Sequence, residues 1–267
     1  MRAILALAIF VVAYPACAVT LQLDGTPVQG GLMIGRTEPD ATVRLDGEPV
    51  RLSPQGDFLI GFARDAKGTH TLSVTGPDGS REIRALTIAA RKFDIQRIDG
   101  LPERQVTPAP DDLVRIRAEA HAMKTAREIS TDDAWFRSGF EWPAEGPISG
   151  VYGSQRILNG EPRTPHYGLD IAGSAGTPVR AAAAGIIAFA HPGMYFNGRT
   201  LVIDHGLGLN SIYLHLSEIA VKPGTRVEKG QTVGRIGATG RVTGAHLHWG
   251  LQLGTVYVDP QLVLPPR

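Results

Sequence analysis

This chain has little of three things that often announce a function: cysteine, charge of one sign and long apolar runs. Among its 267 residues there is one cysteine, Cys17. No disulfide can form within the chain, and a zinc site built from several thiolates is excluded. Lysine and arginine number 27 against 26 aspartates and glutamates, a formal net charge of +1. That near balance offers no basic stripe for a phosphate backbone, so no nucleic-acid partner is expected. Past residue 18 no stretch is long and apolar enough to span a bilayer, and no transmembrane segment is expected in the mature chain.

The first residues are a different matter. Arg2 supplies a positive start, Ala3–Val12 is an apolar run too short to cross a membrane, and Ala16-Cys17-Ala18 is a small-residue cleavage site before Val19. Residues 1–18 are therefore expected to be a signal peptide, and the protein to be exported. Lipid anchoring at Cys17 is the rival reading, although Tyr14-Pro15-Ala16 fits the leucine-led box of such sites poorly. Cleavage after Ala18 leaves no thiol to compete for a metal.

What the chain has in quantity is turn-forming material, 32 glycines and 19 prolines, which points to strands and loops. From 19 to 90, alternation in Val19–Leu23, Ala41–Leu45, Phe58–Phe62 and Thr71–Val74, joined by Asp-Gly turns, predicts a β-sandwich-like accessory domain. Each of its strands is expected to bury one face. Residues 91–140 read as a linker and a connecting helix. Pro102, Pro108 and Pro110 interrupt regular structure; Leu113, Ile116, Ala120 and Met123 then recur at helical spacing behind Asp111 and Asp112. This helix is expected to pack between two domains. Residues 141–267 predict a glycine-rich antiparallel β domain, with strands over Leu169–Ala172, Gly185–Phe189, Arg199–Ile203, Ser211–His215 and His246–Leu251. The chain is thus expected to be mainly β.

Histidine is distributed unevenly. Of eight, only His70 and His121 lie upstream of residue 166. The first reads as an edge or turn residue, the second as facing solvent or a carboxylate. Downstream, five side chains can bind or work beside a transition metal: His166, Asp170, His215, His246 and His248. His246 and His248 are two apart in an apolar run. On a strand both imidazoles share a face, while Leu247 points into the opposite layer. His166 and Asp170 are four apart, with Gly168 between them, in a loop running into a strand. Imidazole and carboxylate suit zinc; three protein ligands would leave the open position of a catalytic site, and four would close a structural one. His205, beside Asp204 in a Gly-rich turn, reads as a hydrogen-bonding turn residue. His191, before Pro192-Gly193, sits in a loop that could line a groove, as could Tyr195, Phe196 and Asn197.

At these residues the chain resembles the M23 metallopeptidases, the LytM or lysostaphin type. The signature His-x-x-x-Asp followed by His-x-His stands as His166-Tyr-Gly-Leu-Asp170 and His246-Leu-His248. Similar flanks occur at Gly176–Val179, Asp204-His205-Gly206, Tyr213-Leu-His215-Leu, Lys229-Gly230-Gln231 and Gly237–Gly240. The resemblance implies an M23-type catalytic domain over 141–267, with Zn2+ as cofactor held by His166, Asp170 and His248. It makes His215 and His246 the unligated catalytic histidines, one taking a proton from water and the other steadying the oxyanion or the leaving amine, in an order left open. It implies peptidoglycan peptides as partners and substrate, cut at D-alanyl cross-links or at glycine bridges. No wall-anchor repeat is recognised, which favours a periplasmic D,D-endopeptidase. None of the five positions is missing, which speaks against the degenerate members that activate amidases. Such a non-catalytic or wall-binding module is the alternative. So is a barrel-sandwich hybrid, suggested by the turns at Ala183-Ala184-Gly185 and Val221–Gly237; a carrier of that fold needs a modifiable lysine at a hairpin tip, and Ala182–Gly185 has none.

Overall fold

The computed structural model of the protein describes residues 19–267, the side chain of Gln105 aside. The expected signal peptide and Cys17 lie outside the described residues. The chain is mainly β, with one long helix at Pro110–Glu128. No helix among the described residues is long and apolar enough to cross a membrane.

The upstream strands form two antiparallel sheets. One orders Gln22–Asp24, Leu32–Arg36 and Asp57–Gly61; the other orders Glu48–Val50, Thr42–Leu45, Thr69–Thr75 and Arg81–Thr87. Met33, Val43, Phe58, Ile60, Leu72 and Val74 fill the space between them. The expectation that each strand buries one face fails at Asp57–Gly61, where Phe58, Leu59 and Ile60 are all buried. Phe58 and Ile60 enter the sandwich core, while Leu59, with Leu32, enters the core of the downstream domain. The three-stranded sheet is therefore a middle layer. Ion pairs fasten the same seam: Arg137 Nη2 to Asp57 Oδ1 at 2.6 Å and Arg91 Nη2 to Asp259 Oδ2 at 2.7 Å.

The downstream domain is organised by an antiparallel sheet. Its order is Arg226–Val227, Gly185–Met194, Gly198–Asp204, Leu209–Leu216, His246–Leu253, Leu169–Ala172 and Ile148–Gly150, with Val256–Val258 paired on His246–Leu253. One face packs Leu201, Ile203, Tyr213, Leu247 and Trp249 into the main core. The other carries Val202, Ile212 and Leu214, which meet Met123 of the helix and Met194. The helix thus covers the second face of this sheet, a correction to its expected place between the domains. Its fully buried residues are only Met123 and Ala126, and Val114 is 71% exposed. So narrow an apolar stripe serves one surface, not two.

The expected linker is also structured. Ile95–Ile98 pairs in parallel with Gln155–Leu158. That strand turns through Asn159 and Gly160, at φ 47° and 85°, and returns as Glu161–Pro162. Two successive left-handed residues are what a two-residue hairpin of this twist requires. The prolines at 102, 108 and 110 lie outside the Ile95–Ile98 strand and bracket the short helix Glu103–Val106 instead of excluding it. The Gly185–Met194 strand, in turn, runs on through His191-Pro192-Gly193, a stretch expected to be loop.

Candidate metal centre

Strand pairing brings the predicted residues together. Asp170 and His248 are direct cross-strand neighbours, as are Ala172 and His246. His246 and His248 share a face, and Leu247 is buried on the other, as the spacing predicts. His166 enters from the loop before Leu169–Ala172. Its Nε2 lies 3.0 Å from Asp170 Oδ1 and 3.0 Å from His248 Nδ1, and His248 Nδ1 lies 2.8 Å from Asp170 Oδ1. A tetrahedral zinc at ordinary bond lengths needs ligand–ligand edges of roughly 3.3 Å, so a small outward relaxation of this triangle fits the ion.

The donor chemistry agrees. His166 Nδ1 donates to Val151 O at 3.0 Å, which leaves Nε2 a lone pair facing a carboxylate and a second ring nitrogen. Such an arrangement calls for a cation or a shared proton at its centre. Among the described residues, His166, Asp170 and His248 are the group of three that could hold a metal ion. Burial by itself would raise the Asp170 carboxyl, but its close contacts with the His166 and His248 rings hold it well below the usual carboxylate range. Burial pushes His248 down to about 4, against the pull of Asp170. Its ring is then neutral at neutral pH, the form that ligates a metal.

His215 reaches this site by breaking strand alternation. Tyr213 and Leu216, three apart, both enter the main core, while Leu214 points to the other face. Over the same stretch the partner strand advances only from Leu201 to Arg199. The extra residue makes a bulge. His215 takes φ 64° there, a conformation that costs roughly 1–2 kcal/mol outside glycine. Its N–H donates to Asn197 O and its Nδ1 to Thr239 O, both at 2.9 Å. The ring centroid stands 4.9 Å from that of His246 and 6.2 Å from that of His248. His246 Nδ1 likewise donates to Gly244 O at 2.9 Å. In both rings Nε2 is left as the lone-pair nitrogen. Burial first, then the neighbouring His248 and His246, push His215 down to about 3.

Comparison with known proteins matches this arrangement to a family. Residues 164–260 match Peptidase family M23. A crystal structure of a candidate M23 peptidase from Pseudomonas aeruginosa superimposes with a TM-score of 0.68 at 30% identity, covering 89% of this chain and 95% of that one. The chain belongs to peptidase family M23. Among curated relatives, peptidoglycan DD-endopeptidase ShyB of Vibrio cholerae is 33% identical over 183 residues, 68% of this chain and 38% of that protein. Peptidoglycan DD-endopeptidase ShyA of the same organism is 46% identical over 89 residues, 33% of this chain and 20% of that protein. The chain therefore spans well under half the length of these relatives.

The remaining histidines of this M23 chain lie apart from the triad. His205 is fully buried, with Nδ1 donating to Ala184 O at 2.6 Å and Nε2 accepting from Ser211 Oγ at 2.7 Å. It holds the turn, as expected. His191 accepts from Gly193 N–H and stacks on Phe189; it does not line the cavities beside the triad. His70 bonds Asp46 at 2.5 Å on the sandwich, and His121 is exposed. Two cavities, of about 180 and 210 Å³, flank the triad. Phe196 and Asn197 line the second, whereas the Tyr195 hydroxyl turns away to Arg104 O and Asp112. Gln96, Ile98 and Leu101, from the segment expected to be linker, wall the first. Sequence reasoning also missed Arg156, whose Nη2 sits 2.9 Å from Asp170 Oδ2 and whose Nε donates to Gln96 at 3.3 Å. The Asn159-Gly160 turn was the available signal, because it makes Gln155–Leu158 a strand beside the site.

Proposed function

We propose that this protein is an exported zinc endopeptidase that hydrolyses peptide bonds of bacterial peptidoglycan, with D-alanyl cross-links as its substrate. The observation that carries this reading is the meeting of a three-donor group with two further histidines, His215 and His246, whose Nδ1 atoms are tied to backbone carbonyls. Three protein donors leave a coordination position open, the pattern of a catalytic rather than a structural zinc. Zinc held by His166, Asp170 and His248 would supply Lewis acidity toward the peptide carbonyl and make water a usable nucleophile near neutral pH. The chain itself supplies the proton chemistry. One Nε2, of His215 or His246, accepts a proton from the attacking water. The other, once protonated, steadies the oxyanion or donates to the leaving amine. Fixing Nδ1 on a carbonyl sets each ring's tautomer and aim, so little reorganisation is needed during reaction.

The choice of substrate is supported by the relatives named peptidoglycan DD-endopeptidases, and export to the periplasm by the leader-like residues 1–18. The test is digestion of purified cross-linked sacculi by zinc-loaded protein, with mass analysis of the products. Conversion of dimeric muropeptides to monomers, with glycan strands intact, is expected. Release of whole stem peptides from glycan would make the protein an amidase instead. No product from folded, zinc-loaded protein would refute the hydrolytic reading and favour a non-catalytic wall-binding or amidase-activating role.

A further inference from the structure

The two oxygens of Asp170 face different ways. Oδ1 lies 3.0 Å from His166 Nε2 and 2.8 Å from His248 Nδ1, inside the triad. Oδ2 accepts from Arg156 Nη2 at 2.9 Å. It also fills the space that a side chain at Gly150, the ladder partner of Asp170, would need: a Cβ there would stand 2.5 Å from Oδ2. A carboxylate divided in this way offers one oxygen to the triad and keeps the other engaged outside it. A carboxylate free to turn can give both oxygens to one ion.

Arg156 is in turn held from its other side. It stands opposite Gln96 where Gln155–Leu158 runs parallel to Ile95–Ile98, and side chains at paired positions share a face. Its Nε donates to Gln96 Oε1 at 3.3 Å. The guanidinium thus bridges a carboxamide and a carboxylate with two nitrogens of one rigid plane, which a lysine ammonium on its flexible stem does not reproduce. Gln96, Arg156 and Asp170 wall the same cavity. Gln96 and Arg156 both precede the family match at 164–260.

We infer that Arg156, aimed by Gln96, is a positioning residue that keeps Asp170 a one-oxygen metal ligand. The inference rests on the reading of the triad as a zinc site and deepens it. With both oxygens on the metal, Asp170 would take up the coordination position that a catalytic site keeps free. The openness of that position is therefore set by a strand pair upstream of the histidine motifs.

Three variants test it. Arg156→Met removes both N–H donors, Gln96→Leu removes the acceptor that aims them, and Gln96→Glu keeps an acceptor in place. Coordination is read from the visible absorption of the cobalt-substituted proteins at saturating metal, turnover from sacculus digestion at saturating zinc, and folding from thermal unfolding of the same samples. Cobalt(II) bands weaken as its coordination number rises, so they report a second Asp170 oxygen on the metal; a part in folding alone would leave them unchanged. Arg156→Met is expected to weaken the bands and to lower turnover by about 10–100-fold, the usual loss on removing the partner of a ligand. Gln96→Leu is expected to shift the bands the same way and to lose about three- to tenfold, the worth of one hydrogen bond, while Gln96→Glu matches wild type on both. Wild-type bands in folded Arg156→Met, or a Gln96→Leu protein with wild-type bands and turnover, would overturn the inference. Weakened bands in the variants of a wild type that hydrolyses nothing would remove the peptidase reading and leave the positioning role standing.

Discussion

Gly168 is where one methyl group should do most damage to the proposed metal centre. A Cβ at this position would stand 2.6 Å from both Cε1 and Nε2 of His248 and 2.8 Å from Trp249 O. Non-bonded carbons sit comfortably at about 3.5–4.0 Å, so the shortfall is about 1 Å. Trp249 is the ladder partner of Leu169, and its carbonyl cannot retreat without disturbing that pairing. The His248 ring must take up the shift. Its Nδ1 belongs to a triangle with edges of 2.8–3.0 Å, while metal–ligand distances tolerate only about 0.2 Å. A displacement several times larger removes one ligand of three. Gly168→Ala is thus expected to lower zinc affinity by at least about 100-fold, and sacculus hydrolysis with it. The overpacking itself should cost about 1–3 kcal/mol of stability. Zinc affinity is read by competition with a chromophoric chelator, and thermal unfolding of the same samples shows whether the fold survives. A folded Gly168→Ala protein with wild-type zinc affinity would refute the reasoning. Because Gly168 is not among the residues at positive φ, backbone strain is not a competing cause.

The other predictions are briefer. His215→Ala and His246→Ala are each expected to keep zinc but to lose about 10²–10⁴-fold in turnover, the usual loss of a general acid or base; near-normal turnover with full zinc in both would take them out of the chemistry. Burial pushes His205 from 6.5 to about 4, so the unfolded chain takes up a proton that the fold refuses. The stability that follows is complete above about 6.5 and is lost as pH falls toward 4, about 3 kcal/mol in all. Urea unfolding at pH 7 and pH 4.5 should therefore show a smaller acid loss in His205→Gln than in wild type, and equal losses would contradict it. Leu59→Ala, in a strand of the sandwich, is expected to cost about 2–5 kcal/mol because Leu59 fills the downstream core; a cost under about 1 kcal/mol would mean that the middle layer is not closely packed.

The geometry of the His166, Asp170 and His248 cluster was legible in the sequence wherever it followed from strand periodicity. His246 and His248 share a face for that reason alone, and the Leu169–Ala172 strand supplies Asp170 opposite His248. His215 was legible as a residue type but not as a position. Strict alternation from Tyr213 would have sent it into the core, and only the bulge with its left-handed backbone turns it to the triad. Leu59 was misjudged for a related reason. Alternation reports how many faces a strand buries only when its neighbours are known, and the second neighbour here lies almost two hundred residues further on, at Leu253 and Val258. The prolines after Leu101 masked the Ile95–Ile98 strand, whose parallel partner is likewise distant in sequence. Local signals recovered the turns and the histidine motifs; contacts made by the far ends of the chain were beyond them.

The cleft draws on more of the chain than the family match covers. The family match begins at residue 164, yet Gln96, Ile98, Leu101 and Arg156 stand in the wall of the cavity. The reactive groups thus lie within the family match, while part of the cleft wall is supplied from outside it. A transplant of 164–260 into another scaffold would move the reactive groups and leave one bank of the channel behind.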